Sequence, residues 1–265
     1  MILFELKQLS RRTISLTISL IATTVVLVAI FPFMDDSGLL GLLSEKIEMV
    51  PDFIIRMFGL SDMPDFTQFP AYFNLCMFYM LVKLCTIASL MGCESLIGEE
   101  TDGTIEFLYA MPRSRASIVA CKFISRVIMI LIMNLLYGIV AYASYRYMGE
   151  DTAHLLRSLS SAVLPQLSYL MLGMLISALL PSSHTASACS MSLFFFTFLL
   201  GIIPSLLGRW YKLEYFSPST CVIRYDFMSV GFRPYWPQVK LLFNYSIAAL
   251  LLGSAIYCKK DMKMQ

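Results

Sequence analysis

Six apolar runs, each close to 20 residues long, alternate with polar segments along this chain. They fall at about residues 13–33, 72–97, 123–146, 158–180, 185–207 and 240–258. A helix rises about 1.5 Å per residue, so roughly 20 apolar residues cross the hydrocarbon of a bilayer. No water reaches the backbone there, and a helix is one of two structures that satisfy every N–H and C=O internally. The pattern predicts an all-α membrane protein with six transmembrane helices. Composition agrees: 58% of the 265 residues are hydrophobic, 14% are charged, and the mean hydropathy is +0.72. A soluble domain carries about 25% charged residues. A formal net charge of +2, without a basic patch interleaved with aromatics, gives no footing for a nucleic-acid partner. Seven cysteines, none in a CxxC pair, read as small apolar residues of helix packing.

Residues 1–12 place Ile2, Leu3, Leu6 and Leu9 on one helical side, with Glu5, Lys7, Gln8, Arg11 and Arg12 on the other. This predicts a short interfacial helix, or else the first turns of span one. The apolar run after it is long enough to span, and no small-residue cleavage site follows, so it reads as a retained span. Lys and Arg number nine on each side of the expected bilayer, so the raw count does not orient the chain. The flanks do. Span one runs from Arg11 and Arg12 to Asp35 and Asp36, and span six ends on Lys259 and Lys260. Both point to cytoplasmic termini.

That orientation puts residues 34–71 and 208–239 outside as the two long loops. The first is acidic and carries Ile47, Val50, Ile54 and Phe58 at helical spacing, which predicts a helix against the membrane face. The second is aromatic, with Trp210, Tyr211, Tyr215 and Trp236 suited to the headgroup level.

No GxxxxGK[ST] loop, HExxH or GxSxG motif occurs, and no catalytic, cofactor or metal constellation is visible. His154 and His184 fall on opposite sides of the expected membrane. Lys83 lies inside span two, where a charge faces a cavity or a partner. It reads either as a contact to cargo or as a structural partner within the bundle. Asn74 and Asn134 suit hydrogen bonds between helices. Phe194, Phe195, Phe196 and Phe198 cover all sides of span five, by lipid contact, packing, or one side of an apolar path. Lys83, Asn134, Phe194 and Phe198 are thus the candidate translocation-path residues. Gly173 and Ser177 give a small-xxx-small spacing, which is common by chance.

The polar stretch Glu94 to Lys122 starts with acids (Glu94, Glu99, Glu100, Asp102, Glu106) and ends with bases (Arg113, Arg115, Lys122). Thr101 or Asp102 can cap a short helix, Ile105, Leu108 and Tyr109 give it an apolar side, and Pro112 stops it. An amphipathic helix held between two spans is placed to take motion from a soluble protein into the membrane.

These residues carry a family resemblance. Glu99-Glu100-x-x-Gly103-Thr104-x-Glu106-x-Leu108, followed by Pro112-x-Ser114-Arg115, Ile118 and Lys122, resembles the signature of type-2 ATP-binding-cassette (ABC) permeases. Family members read approximately E(K/R)xxGTLExLLxxPxSRxxIxxxK. Asp102 and Met111 depart from the commonest residues at their positions. Val50-Pro51-Asp52 to Phe58-Gly59-Leu60 is similar to the first outer loop of bacterial members.

The resemblance implies the membrane half of an exporter in a bacterial cell membrane. A second permease copy would complete the path, and each copy would rest on a separate ABC ATPase subunit. ATP and Mg would bind that subunit and not this chain. The coupling helix would lie within residues 98–120, with Glu99, Glu100, Thr101, Asp102, Gly103, Thr104, Glu106, Phe107, Leu108, Pro112, Arg113 and Arg115 as its contacts. Family cargoes range over drugs, antibiotics, peptides, lipids, polysaccharides and sodium, and the sequence does not choose among them. A reading from another class is a non-transporting anchor or sensor that recruits a cytoplasmic regulator.

Overall fold

The computed structural model describes residues 2–47, 66–101, 114–207, 211–218 and 236–259. Among them every regular element is helical, and there is no strand. The helices are α1 (Ile2–Asp36), α2 (Leu39–Ile47), α3 (Phe69–Thr101), α4 (Arg115–Tyr147), α5 (Ala153–Leu179), α6 (Ser183–Leu207) and α7 (Trp236–Lys259). A 3-10 turn, Tyr211–Phe216, precedes α7. Six of these are long and apolar enough to cross a membrane: Thr13–Asp36, Phe69–Gly98, Arg115–Tyr147, Ser158–Leu179, Ser183–Gly201 and Pro237–Lys259. The six-span expectation and the structure agree, with boundaries shifted by a few residues.

The N-terminal segment differs from a separate interfacial helix. Residues 2–36 form one α-helix, so residues 2–12 are its first three turns. The polar residues at the expected junction do not cap a new helix. Ser10 donates to the Lys7 carbonyl at 2.7 Å and Thr17 to the Thr13 carbonyl at 2.7 Å, within the same helix. One face of α1 is buried along its whole length, through Glu5, Thr13, Thr17, Leu20, Thr24, Val28 and Phe31. The opposite face exposes Leu3, Ile14, Ile18 and Val25, as suits a helix whose other side meets lipid. The buried stripe lies mainly on α4.

The expected loops are shorter than drawn from hydropathy. The first outer loop, residues 34–71, is helical at both edges and contains α2. Ile47 closes α2, while Val50, Ile54 and Phe58 lie outside the described residues. The expected loop 98–120 is helical at both edges, since α3 runs to Thr101 and α4 starts at Arg115. In the 208–239 segment, α7 begins at Trp236.

α3 and α5 form the centre. Each buries 61% of its apolar window, against 39% or less for the other four spans. They touch backbone to backbone. A Cβ added at Gly173 would come 2.5 Å from the Ser89 carbonyl oxygen, and one added at Gly92 would sit 3.0 Å from the Gly173 Cα. Only glycine at both positions permits that approach. α6 packs on α3, and α7 packs on α5. At the far end from Thr101, Phe31, Phe69, Tyr72, Phe73 and Tyr145 interlock with centroids 5.0–5.6 Å apart. Tyr72 adds a hydrogen bond from its hydroxyl to the Leu27 carbonyl at 2.9 Å, which ties α3 to α1.

Candidate functional site

The stretch that most resembles a coupling element is bracketed by two helix ends. Glu99, Glu100 and Thr101 close α3. Asp102, Gly103, Thr104, Glu106, Phe107, Leu108, Pro112 and Arg113 lie outside the described residues. The chain re-enters at Ser114, whose extended backbone (φ −69°, ψ 146°) caps α4 and whose Oγ accepts from the Ser117 N–H at 3.3 Å. Arg115 donates through Nη1 to the Cys258 carbonyl at 3.2 Å, next to the C-terminal end of α7. A guanidinium is favourable there, where helix carbonyls run out of partners. So α7 braces the first turn of α4.

Two turns further into α4, the structure assembles an ionic cluster that hydropathy did not reveal. Lys122 Nζ lies 3.4 Å from Glu5 Oε1, and Arg126 Nη1 lies 3.4 Å from Glu5 Oε2. Arg126 also donates to the Lys122 carbonyl at 3.1 Å and, through Nε, to the Met91 carbonyl on α3 at 2.9 Å. All three charged residues are buried. Lys122 was expected to open span three, as the last base of the polar stretch. It sits instead inside the bundle, because the carboxylate of Glu5 meets it there. Two cations on one carboxylate form a bridge from α1 to α4, and Arg126 extends it to α3. Removing a charge from water costs several kcal/mol per ion, which a buried pair offsets only with further hydrogen bonds. The Met91 and Lys122 carbonyls supply them.

The cluster borders a cavity of about 480 Å³. Its wall includes Glu5, Glu94, Lys122, Arg126 and His184, with Gly98 near the end of α3. His184 therefore belongs to the Thr101–Arg115 end of the bundle, while residue 154 starts α5 at the opposite end. The cavity has a mixed lining of charged, polar and apolar side chains, and it sits between α1 and the ends of α3, α4 and α6 that meet here.

α3 is also held close to Thr101 by side chains of its neighbours. Ser177 of α5 accepts from the backbone N–H groups of Leu96 and Ile97 at 2.9 and 3.0 Å. In an unperturbed helix those donors serve carbonyls four residues back. Ser89 and Ser190 bring their hydroxyls to 2.6 Å, joining α3 to α6.

The four candidate path residues have separate partners. Lys83 Nζ donates to Ser19 Oγ of α1 at 3.0 Å. Asn134 forms a reciprocal amide pair with Gln166 across α4 and α5, at 2.8 and 3.0 Å. Each amide also donates to a carbonyl of its own helix, Asn134 to Ile130 and Gln166 to Ala162. Asn134 also borders an open, mostly apolar groove of about 600 Å³ between α4 and the first turns of α5. Phe194 is buried against Tyr169 (centroids 5.0 Å) and Phe198 (6.2 Å), and Phe198 stacks at 6.5 Å on Phe78. Phe195 and Phe196 are exposed. The structure thus joins Phe194 and Phe198 in one aromatic group and places Lys83 and Asn134 on different helix pairs.

Sequence reasoning missed Glu5, Arg126 and Gln166. Arg126 offered the same signal as Lys83, a charge inside an apolar run. Glu5 offered none, since an acid in a short amphipathic segment reads as solvated.

Among known families, residues 3–248 match the ABC-2 family transporter protein family. That is nearly the whole described chain, and the chain belongs to this family. No curated protein matches the sequence.

Proposed function

We propose that this chain, as an ABC-2 permease subunit, is the membrane half of an ATP-driven exporter and works as a dimer, each copy resting on a separate ATPase subunit. ATP and Mg bind that subunit, and this chain contributes no nucleotide site of its own. Residues Glu99 to Ala110 dock on the ATPase, and closure of the ATPases switches the membrane cavity between inward and outward states. Both termini face the cytoplasm of a bacterial cell.

One observation carries the coupling role. The stretch with the family signature is strung between the ends of two long membrane helices, α3 and α4, both anchored within a few turns of it. A displacement there has a short, stiff route into the bundle.

The test is co-purification of the full chain with its ABC ATPase subunit, followed by ATP hydrolysis. Glu106→Lys and Gly103→Pro are expected to abolish binding or turnover. Wild-type binding and turnover in both variants would overturn the assignment of residues 99–110 as the docking element.

A further inference from the structure

By packing, α1 with α4 forms one set and the other four spans a second, with α4 also touching α3, α5 and α7 across the divide. α1 lies mainly on α4, with fewer contacts to α3. α3, α5, α6 and α7 form the other set, joined by the glycine contact at Gly92 and Gly173, by Ser177 on the α3 backbone, and by Ser89 with Ser190. Residues 102–113 connect α3 to α4, and so they connect one set to the other. A force on that stretch acts between the two sets.

The packing of α1 on α4 is a stripe of threonine and apolar side chains, which resists separation more than sliding. Among the described residues, the ionic contacts between α1 and α4 stand at the Thr101–Arg115 end. There Glu5 takes both Lys122 and Arg126, which project from successive turns of α4. Residues four apart on a helix share a face, so one carboxylate can hold both. Two ionic contacts from one carboxylate fix the height and the rotation of α1 on α4 at that point. Arg126 Nε, on the Met91 carbonyl, carries this unit across to α3 at the same end, while Tyr72–Leu27 and Lys83–Ser19 join α3 to α1 further along.

We infer that Glu5 is a positioning residue of the transport cycle: through Lys122 and Arg126 it fastens α1 to α4, so that the two helices move as one body when residues 102–113 are displaced. This rests on the coupling role proposed above. It predicts that α1, already tied to α3 through Leu27 and Ser19, responds to the ATPase together with α4 through Glu5.

The experiment is pulsed electron paramagnetic resonance on the full chain in lipid nanodiscs. Labels go on the exposed residues Leu3 of α1 and Ile124 of α4. Non-cysteine labelling chemistry is used, because the chain carries seven cysteines. The sample is measured alone, then with the co-purified ATPase subunit trapped by MgATP and vanadate. The wild type is expected to give one narrow distance distribution, unchanged by trapping. Glu5→Gln is expected to broaden it and let it shift on trapping. The exchange Glu5→Lys with Lys122→Glu keeps one carboxylate between two cations, and it is expected to restore the narrow distribution. Should Glu5→Gln not fold, Glu5→Asp keeps the charge on a shorter arm and is expected to give intermediate width. A wild-type distribution in folded Glu5→Gln or Glu5→Asp, in both states, would overturn the inference. So would an exchange variant as broad as Glu5→Gln. A wild-type chain that binds no ATPase subunit would overturn the coupling reading instead, and the distributions without ATPase would still decide whether Glu5 fastens α1 to α4.

Discussion

Glu5 and Lys122 meet at 3.4 Å with only 5% and 2% of their side chains accessible, although one opens α1 and the other lies on α4. Neutralising Glu5 leaves Lys122 and Arg126 buried without their counter-charge. Breaking a buried pair from one side costs about 3–5 kcal/mol. Glu5→Gln is therefore expected to lower resistance to unfolding in an SDS titration by that order. Lys122→Met is expected to cost less, since Arg126 still engages Glu5.

The contact of α3 with α5 depends on the absence of two side chains. A methyl at Gly173 would come 2.5 Å from the Ser89 carbonyl oxygen, which cannot move without the helix. Gly173→Ala and Gly92→Ala are expected to destabilise the fold by about 1–3 kcal/mol, the usual range for overpacking. Gly138→Ala is the matched control. Its Cβ would lie 3.2 Å from the Leu159 side chain, which can turn aside. The same SDS titration ranks the three, and a Gly138→Ala loss as large as that of Gly173→Ala would contradict the account.

The Asn134–Gln166 pair offers a double-mutant cycle inside the bilayer. Each single change to leucine strands the partner amide, whereas the double change removes both polar groups. Coupling of this kind in membrane helices averages about 0.6 kcal/mol and reaches about 1.7 kcal/mol. The geometry is reciprocal, so a value in the upper half of that range is expected. Strict additivity of the two single changes would show that the pair contributes no net stability.

Ser177 serves two backbone donors of α3 at once. Ser177→Ala is expected to weaken the last turns of α3 by about 1 kcal/mol for the lost acceptor. Amide hydrogen exchange of a peptide covering residues 90–101 is the measurement. Faster exchange confined to that peptide is the expected outcome, and unchanged exchange would mean that Leu96 and Ile97 return fully to their own helix.

The six spans were legible because hydrocarbon permits few backbone solutions, and run length nearly decides among them. The features that needed three dimensions concern which face meets which. Gly173 and Ser177 stood out by spacing, but the spacing does not say that Gly92 of α3 lies opposite. Lys122 read as the base that opens span three, and its burial was not legible because it depends on a carboxylate that arrives from α1. The continuity of α1 was obscured by Ser10, Arg11, Arg12 and Thr13, whose polarity suggests an interface. In the structure the hydroxyls of Ser10 and Thr17 bond to carbonyls of α1 itself and so leave the helix intact. Arg115 was read as a docking contact, and its guanidinium also reaches the Cys258 carbonyl. The docking segment itself, from Asp102 to Arg113, rests on its resemblance to the family signature.

The crossing at Gly92 is off-centre, and that has a mechanical meaning. The glycine contact and the bonds from Ser177 to the N–H groups of Leu96 and Ile97 both hold α3 on α5 near its Thr101 end. At 1.5 Å per residue, α3 extends about 14 Å from Gly92 to Thr101 on one side and about 35 Å to Phe69 on the other. The short arm is thus fixed to α5, and the long arm runs on to the rings of Phe69 and Phe73, which meet Tyr145 of α4.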